Sequence, residues 1–308
     1  MLQPQLASFA NDISSRRWSY DIQSLRALAE SSGDVSEKAR LNYEITLMLA
    51  ELGTSNDQLQ EWIDRAIEAN LEMLETDPAE ELLPAARLSR LYSMKISGAA
   101  SWMRYSGPTE FWKEKARSLD PGFRDVRVLE LRTLLFFPEA AGGDRGKGEL
   151  LLQELLKEFP EDPELFFYQV DVLMGDRSYK QAEEILLRIL VSFPEHRPAR
   201  NLLNDLELSS AGLVIDRVDF SGDFQSRREP LEKTAEAFIG RPYSVDAKRE
   251  LAEALCAYPA VSGVSIEAKR SGGGISLHPP IPGMGFRGES LHPWRGAGRK
   301  ISPFPGLR

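Results

Sequence analysis

The sequence predicts a mainly α-helical chain, with helices in successive pairs, followed by a small, incomplete α+β module and an unstructured tail. Three observations predict it. Apolar residues recur at three- and four-residue spacing over residues 20–208, as they do on helices with one buried face. Proline dipeptides interrupt that pattern at Asp77-Pro78, Asp120-Pro121, Phe159-Pro160 and Phe193-Pro194. Near residue 211, β-branched alternation replaces the helical period, which is a strand signal. The organisation expected is a flexible N-terminus over 1–19, a helical repeat domain over 20–208, an α+β module over 212–270 and a disordered tail over 271–308.

In chain order, Leu25, Leu28 and Ala29 open the first helix. Ala39, Tyr43, Leu47 and Ala50 form the buried face of a second, closed by Gly53 as a C′ glycine. Trp62, Ala66, Ala69, Met73 and Leu74 mark a third, which stops before Asp77-Pro78 because proline disfavours helical geometry in the residue before it. Further on, Trp102, Tyr105 and Trp112 flank Gly107-Pro108, which reads as a loop. These three aromatics are the candidate partner-binding residues, since aromatic anchors dominate recognition.

Pro160 and Pro194 stand 34 residues apart, the period of tetratricopeptide (TPR) repeats. Over 163–194 that pattern puts Phe166 and Val170 on a first helix, Gly175-Asp176 in the turn, and Leu186, Ile189 and Leu190 on the buried face of a second. Ala182 takes the small position where two helices cross, and Gly148 is its counterpart one repeat earlier. Gly148, Ala182, Pro160 and Pro194 are therefore read as repeat-packing positions in a TPR-like α-α superhelix, or solenoid. Between the repeats, Gly142-Gly143-Asp144 is read as a structural turn. The glycines allow a sharp bend, and Asp144 caps the next helix. The run is not a phosphate loop, because Lys147 is followed by Gly148 and no Ser or Thr is placed to hold magnesium.

The α+β module reads as strand 213–220, helices 229–239 and 245–257, and strand 261–268, a β-α-α-β order. Gly272-Gly273-Gly274, Pro279-Pro280 and Gly296-Ala297-Gly298 punctuate the C-terminal stretch, with Glu289 the only acidic residue after Ser271. Such a composition buries too little apolar surface to offset its ordering entropy, so disorder is expected. The switch from acidic to basic is also what an out-of-frame translation would produce.

The 308 residues carry a net charge of −9, which disfavours a nucleic-acid partner because a duplex binder needs a basic face to displace counterions. No window reaches the ~18 apolar residues of a membrane span. The start, Met1-Leu2-Gln3-Pro4, lacks the basic start and apolar run of a signal peptide. Cys256 is the single cysteine and reads as a small core hydrophobe. His196 is expected at the surface of an inter-repeat turn, with His278 and His292 in the tail. The pairs Glu80-Glu81, Glu161-Asp162 and Glu183-Glu184 read as solvated. With no nucleophile, acid–base or metal set, no catalytic residue, metal or cofactor is expected, and the chain reads as a non-enzymatic binding protein.

These residues carry two partial family resemblances. The run Phe136-Phe137-Pro138-Glu139-Ala140-Ala141-Gly142-Gly143-Asp144, preceded by Ala116-Arg117-Ser118-Leu119-Asp120-Pro121, resembles the TRAP-transporter T-component family over residues 60–205. That resemblance implies a periplasmic helical protein that associates with a solute-binding partner. Ile215-Asp216-Arg217-Val218-Asp219-Phe220-Ser221-Gly222-Asp223, then Gly240-Arg241-Pro242-Tyr243-Ser244, Tyr258-Pro259 and Val264-Ser265-Ile266, looks like a POTRA domain lacking its third strand. It implies an envelope or outer-membrane partner whose strands bind at a sheet edge. Both imply the periplasm, and the missing export signal then suggests a truncated chain or a mis-assigned start, with the cytoplasm as the other location.

Overall fold

The computed structural model describes residues 16–17, 19, 21–51, 56–96, 99–137, 139, 142–220, 228–256, 258 and 266–279. Gly53, His292, residues 280–308 and the Cys256 side chain, all interpreted from the sequence, lie outside this set. Ten helices of the described residues run in succession: α1 (Ile22–Ser31), α2 (Val35–Glu51), α3 (Asn56–Thr76), α4 (Leu82–Met94), α5 (Ala99–Leu119), α6 (Arg124–Phe136), α7 (Arg145–Glu158), α8 (Pro163–Gly175), α9 (Tyr179–Ser192) and α10 (Arg197–Ser210). Each packs against the next. After them come β1 (Ile215–Val218), α11 (Arg228–Glu236), α12 (Val245–Cys256), β2 (Glu267–Ser271) and β3 (Gly274–His278). The protein is mainly α-helical, with a small β-containing module near its C-terminus.

Each break has a local cause. Asp77 accepts from the Ala79 amide at the start of a 3₁₀ turn, Pro78–Glu80. Asp162 caps α8 by accepting from the amides of Glu164 and Leu165, with Pro163 in the first turn, where its missing N–H costs nothing. Asp144 caps α7 through the Lys147 amide, and Gly142 bends the chain with φ +91°. Helix pairs then close on small residues. A Cβ on Gly148 would stand 2.7 Å from Leu135 Cδ2, so α6 and α7 meet where a side chain is excluded. Ala182 is fully buried among Phe166, Val170, Leu186 and Ile189.

Two expectations about this region fail. Gly107-Pro108 is not a loop, because α5 runs through it. Proline removes one helical hydrogen bond, and the helix persists because it lies along α4, where Ser89 Oγ donates to the Thr109 carbonyl at 3.0 Å. Pro160 and Pro194, read as packing positions, are exposed. Their carbonyls accept from Arg188 and Arg200 at the turns.

The tail reading fails over 271–279. Gly272-Gly273 forms a tight hairpin turn, with Gly272 at φ +58°, joining β2 to β3. β3 is the central strand in the order β1-β3-β2, parallel to β1 and antiparallel to β2. Glycine marks both linkers and tight turns, and Ile275 and Leu277, two residues apart and fully buried, decide for the turn. A Cβ on Gly274 would lie 2.9 Å from the Val214 carbonyl oxygen, so a glycine is needed where β3 passes β1. Among the described residues the module is thus β-α-α-β-β; β2 overlaps the end of the expected strand 261–268, of which residues 261–265 lie outside the described set. Its core of Ile215, Leu231, Phe238, Leu251, Leu255, Ile275 and Leu277 also takes in Leu208 of α10. Tyr243 donates to Asp205 at 3.0 Å, and Tyr179 to Asp246 at 2.8 Å. These bonds fix the module to the end of the helical array.

Candidate functional site: a charged centre and an open strand edge

The helices bring half-buried charges together. Glu164 on α8 pairs with Arg90 of α4 and Arg124 of α6, each at 2.8 Å, and accepts from Tyr168 Oη at 2.9 Å. Arg124 also reaches Asp162 at 2.7 Å and Asp125 at 2.6 Å. Burial alone would raise the Glu164 carboxyl, but Arg90 and Arg124 outweigh it and hold the group far below the usual carboxylate range. Burial pushes the Tyr43 hydroxyl up to about 12, with the nearby carboxylates Asp125, Glu164 and Glu44 acting in the same direction. Side chains of α2, α4, α6 and α8 therefore share one low-dielectric polar centre, where charge pairs matter more than at the surface.

That centre is not fully paired. Arg87, only 5% exposed, lies with its guanidinium 5.4 Å from the Tyr43 ring centroid. Its Nη1, like Nε of Arg90, has no hydrogen-bond acceptor. Asp171, one helical turn beyond Tyr168 and 8% exposed, has no partner for either carboxylate oxygen, and burial raises its pKa well above the ordinary value. Each such group carries a desolvation cost of about 1–3 kcal/mol. An open cleft lined by Arg124 and residues 158–163 does not include Asp171. Sequence reasoning missed Arg87 and Arg90, although two arginines three residues apart within Leu82-Leu83-Pro84-Ala85-Ala86-Arg87-Leu88-Ser89-Arg90-Leu91 were a visible signal of buried charge.

His196 is not a surface residue. It is 2% exposed and caps α10, its Nδ1 accepting from the Ala199 amide at 3.2 Å. Burial lowers its pKa to about 4, so the ring is neutral at physiological pH. The N-terminal segment also departs from expectation. Arg16, Arg17 and Ser19 are helical, and Arg17 is buried against Glu44 and Glu51 of α2.

The candidate aromatics all stand on α5, but do not form one surface. Trp112 packs against the cores beneath α5. Tyr105 is half-buried, stacked on Tyr92 at 6.4 Å with Lys95 over its ring. Trp102 is 44% exposed beside Met103 at 79%, with Phe111 also exposed. The repeat-turn residues Gly142, Gly143 and Asp144 serve the α6–α7 connection.

In the module, the outer side of β1 is occupied. The Ile215 amide donates to Arg241 at 2.9 Å, its carbonyl accepts from Gly240 at 2.8 Å, and Tyr243 donates to Leu213 at 2.8 Å. β2, at the other edge, pairs only with β3 among the described residues. Glu267, Lys269 and Arg270 are exposed along it, and Ala268 is buried. His278, expected in the tail, lies on β3 with Nε2 2.9 Å from Ser276 Oγ. Among the described residues no group of three His, Cys, Asp or Glu is placed to hold a metal, and no helix is long and apolar enough to cross a membrane. Scanning family models finds none that matches the chain, and a search of curated proteins finds no match.

Proposed function

We propose that the chain is a non-enzymatic scaffold of a bacterial cell-envelope assembly, in which TPR-like helix pairs hold one partner protein and a POTRA-like module takes a client strand. The observation that carries the reading is the asymmetry of the sheet. One edge is closed by the 240–243 link, and the other, β2, has no strand partner besides β3 among the described residues. An open edge offers unpaired N–H and C=O groups to an extended chain, which is strand addition. A third strand, Gly274–His278, supports the POTRA-like reading. The bonds at Asp205 and Asp246 support a scaffold, because they hold the edge in a fixed position relative to the helices. The TRAP T-component reading assigns no role to this module, so the envelope-assembly reading is preferred.

The test is fluorescence anisotropy with a labelled eight-residue peptide of alternating apolar and polar residues. It binds the wild-type chain, and Arg270→Pro, which removes a backbone donor that points away from β3, abolishes binding while circular dichroism is unchanged. A peptide that ignores the wild-type chain, or binds the folded Arg270→Pro variant equally, sinks the proposal.

A further inference from the structure

Hydrogen bonding along β3 fixes which way each group of β2 points. The Ile275 amide donates to the Val214 carbonyl at 2.9 Å, and the Leu277 carbonyl accepts from the Asp219 amide at 2.7 Å. Residues 275 and 277 therefore bond towards β1, and 274, 276 and 278 bond towards β2. Their partners in the register are Ser271, Lys269 and Glu267. The backbone groups of the intervening residues point the other way, so the N–H and C=O of Ala268 and Arg270 face away from β3. Nothing bonds to those four groups among the described residues.

The same register assigns the side chains. Ala268 stands opposite Leu277 and Arg270 opposite Ile275, so both lie on the core side of the sheet. Ala268 is buried in the module's core, and Arg270 is exposed. Lys269, on the other side, pairs with Glu267 at 3.0 Å, whereas Arg270 meets no carboxylate among the described residues. A strand that bonds to Ala268 and Arg270 places two of its side chains, two residues apart, on the core side. One comes beside a small buried residue and the other beside an unpaired guanidinium. A second copy of β2 fits poorly. In the antiparallel register that uses both Ala268 and Arg270, the two Lys269 side chains stand directly opposite, and like charges there are destabilising.

We propose that β2 selects a client strand that carries a carboxylate opposite Arg270 and an apolar residue two positions along, opposite Ala268. This rests on the strand-addition reading and names the chemistry of its client, an acidic extended segment of another protein. The Arg270 guanidinium is the specificity-determining group, because its planar fork takes a carboxylate through two parallel hydrogen bonds. A strand with a basic residue at that place is repelled.

The test is a two-by-two comparison by fluorescence anisotropy at low salt. Two labelled eight-residue alternating peptides, identical except for Glu or Gln at one central position of the apolar face, are titrated against the wild-type chain and Arg270→Gln, which keeps the backbone donor. The Glu peptide binds wild type about threefold more tightly than the Gln peptide, as an opposite-charge cross-strand pair does, and the two bind Arg270→Gln equally. Lys269→Gln, on the other side of the sheet, leaves the preference in place. Both replaced side chains are exposed, and circular dichroism checks the fold of each variant before titration. No preference on wild type, a preference that survives Arg270→Gln, or one lost equally to Lys269→Gln, overturns the proposal. The Gln peptide separates the two readings. If it binds wild type and not Arg270→Pro while no charge preference exists, strand addition stands and the selectivity falls. If neither peptide binds wild type, both fall.

Discussion

Glu164 draws together three helices with a single carboxylate: it pairs with Arg90, and with Arg124, which also holds Asp162 and Asp125. Glu164→Gln leaves Arg90 short of a counter-charge while Arg124 keeps Asp162 and Asp125, so stability measured by urea unfolding falls, by at most about 3–5 kcal/mol at pH 7. Its folded pKa is depressed, so its contribution is present above the unfolded value of ~4.3 and is lost as pH falls below it. The variant should therefore lose less stability than wild type on acidification below that value. His196 acts higher on the scale. Its folded pKa of about 4 lies below the unfolded ~6.5, so the unfolded chain takes up the proton first. Stability then declines as pH drops from ~6.5 towards 4, by ~3 kcal/mol at the limit. His196→Asn keeps a capping oxygen and should flatten that limb in urea midpoints compared at pH 7 and pH 5. None of this is legible in the sequence, where His196 beside Pro194 has the local signature of a turn residue. Burial of a polar side chain depends on which helices converge, and that is not a local property.

At the scale of elements, local chemistry is the reliable guide. Asp77, Asp144 and Asp162 stand where capping residues belong, and each caps. Gly148 lies where α6 and α7 leave little room for a side chain, a demand that shows in the sequence, and Ala182 is fully buried. Gly148→Val forces a branched side chain into Leu135 and should cost about 1–3 kcal/mol by thermal or urea unfolding. A cost near zero would mean that α6 and α7 separate freely. Glycine and proline mislead where packing overrides their local meaning. Pro108 sits inside α5 because α4 supports that helix along its length. The 272–274 glycines form a hairpin because the residues after them have a buried face.

The described residues couple a helical array with a charged centre to a three-stranded module in which β2 has a strand partner on one side. Alternation makes β1 legible, but the order β1-β3-β2 is not, because it depends on a strand whose composition resembles that of a tail. Candidate partner residues chosen by type are likewise divided by the fold, with Trp112 packed inward and Trp102 exposed. The most direct measurement is amide hydrogen exchange by mass spectrometry on the full chain, with and without the extended peptide. The account predicts slow exchange throughout β3, faster exchange in β2, and peptide-induced protection confined to residues 267–271. Exchange in β3 as fast as in an unfolded chain, or peptide protection that falls on the helices and spares β2, would contradict it.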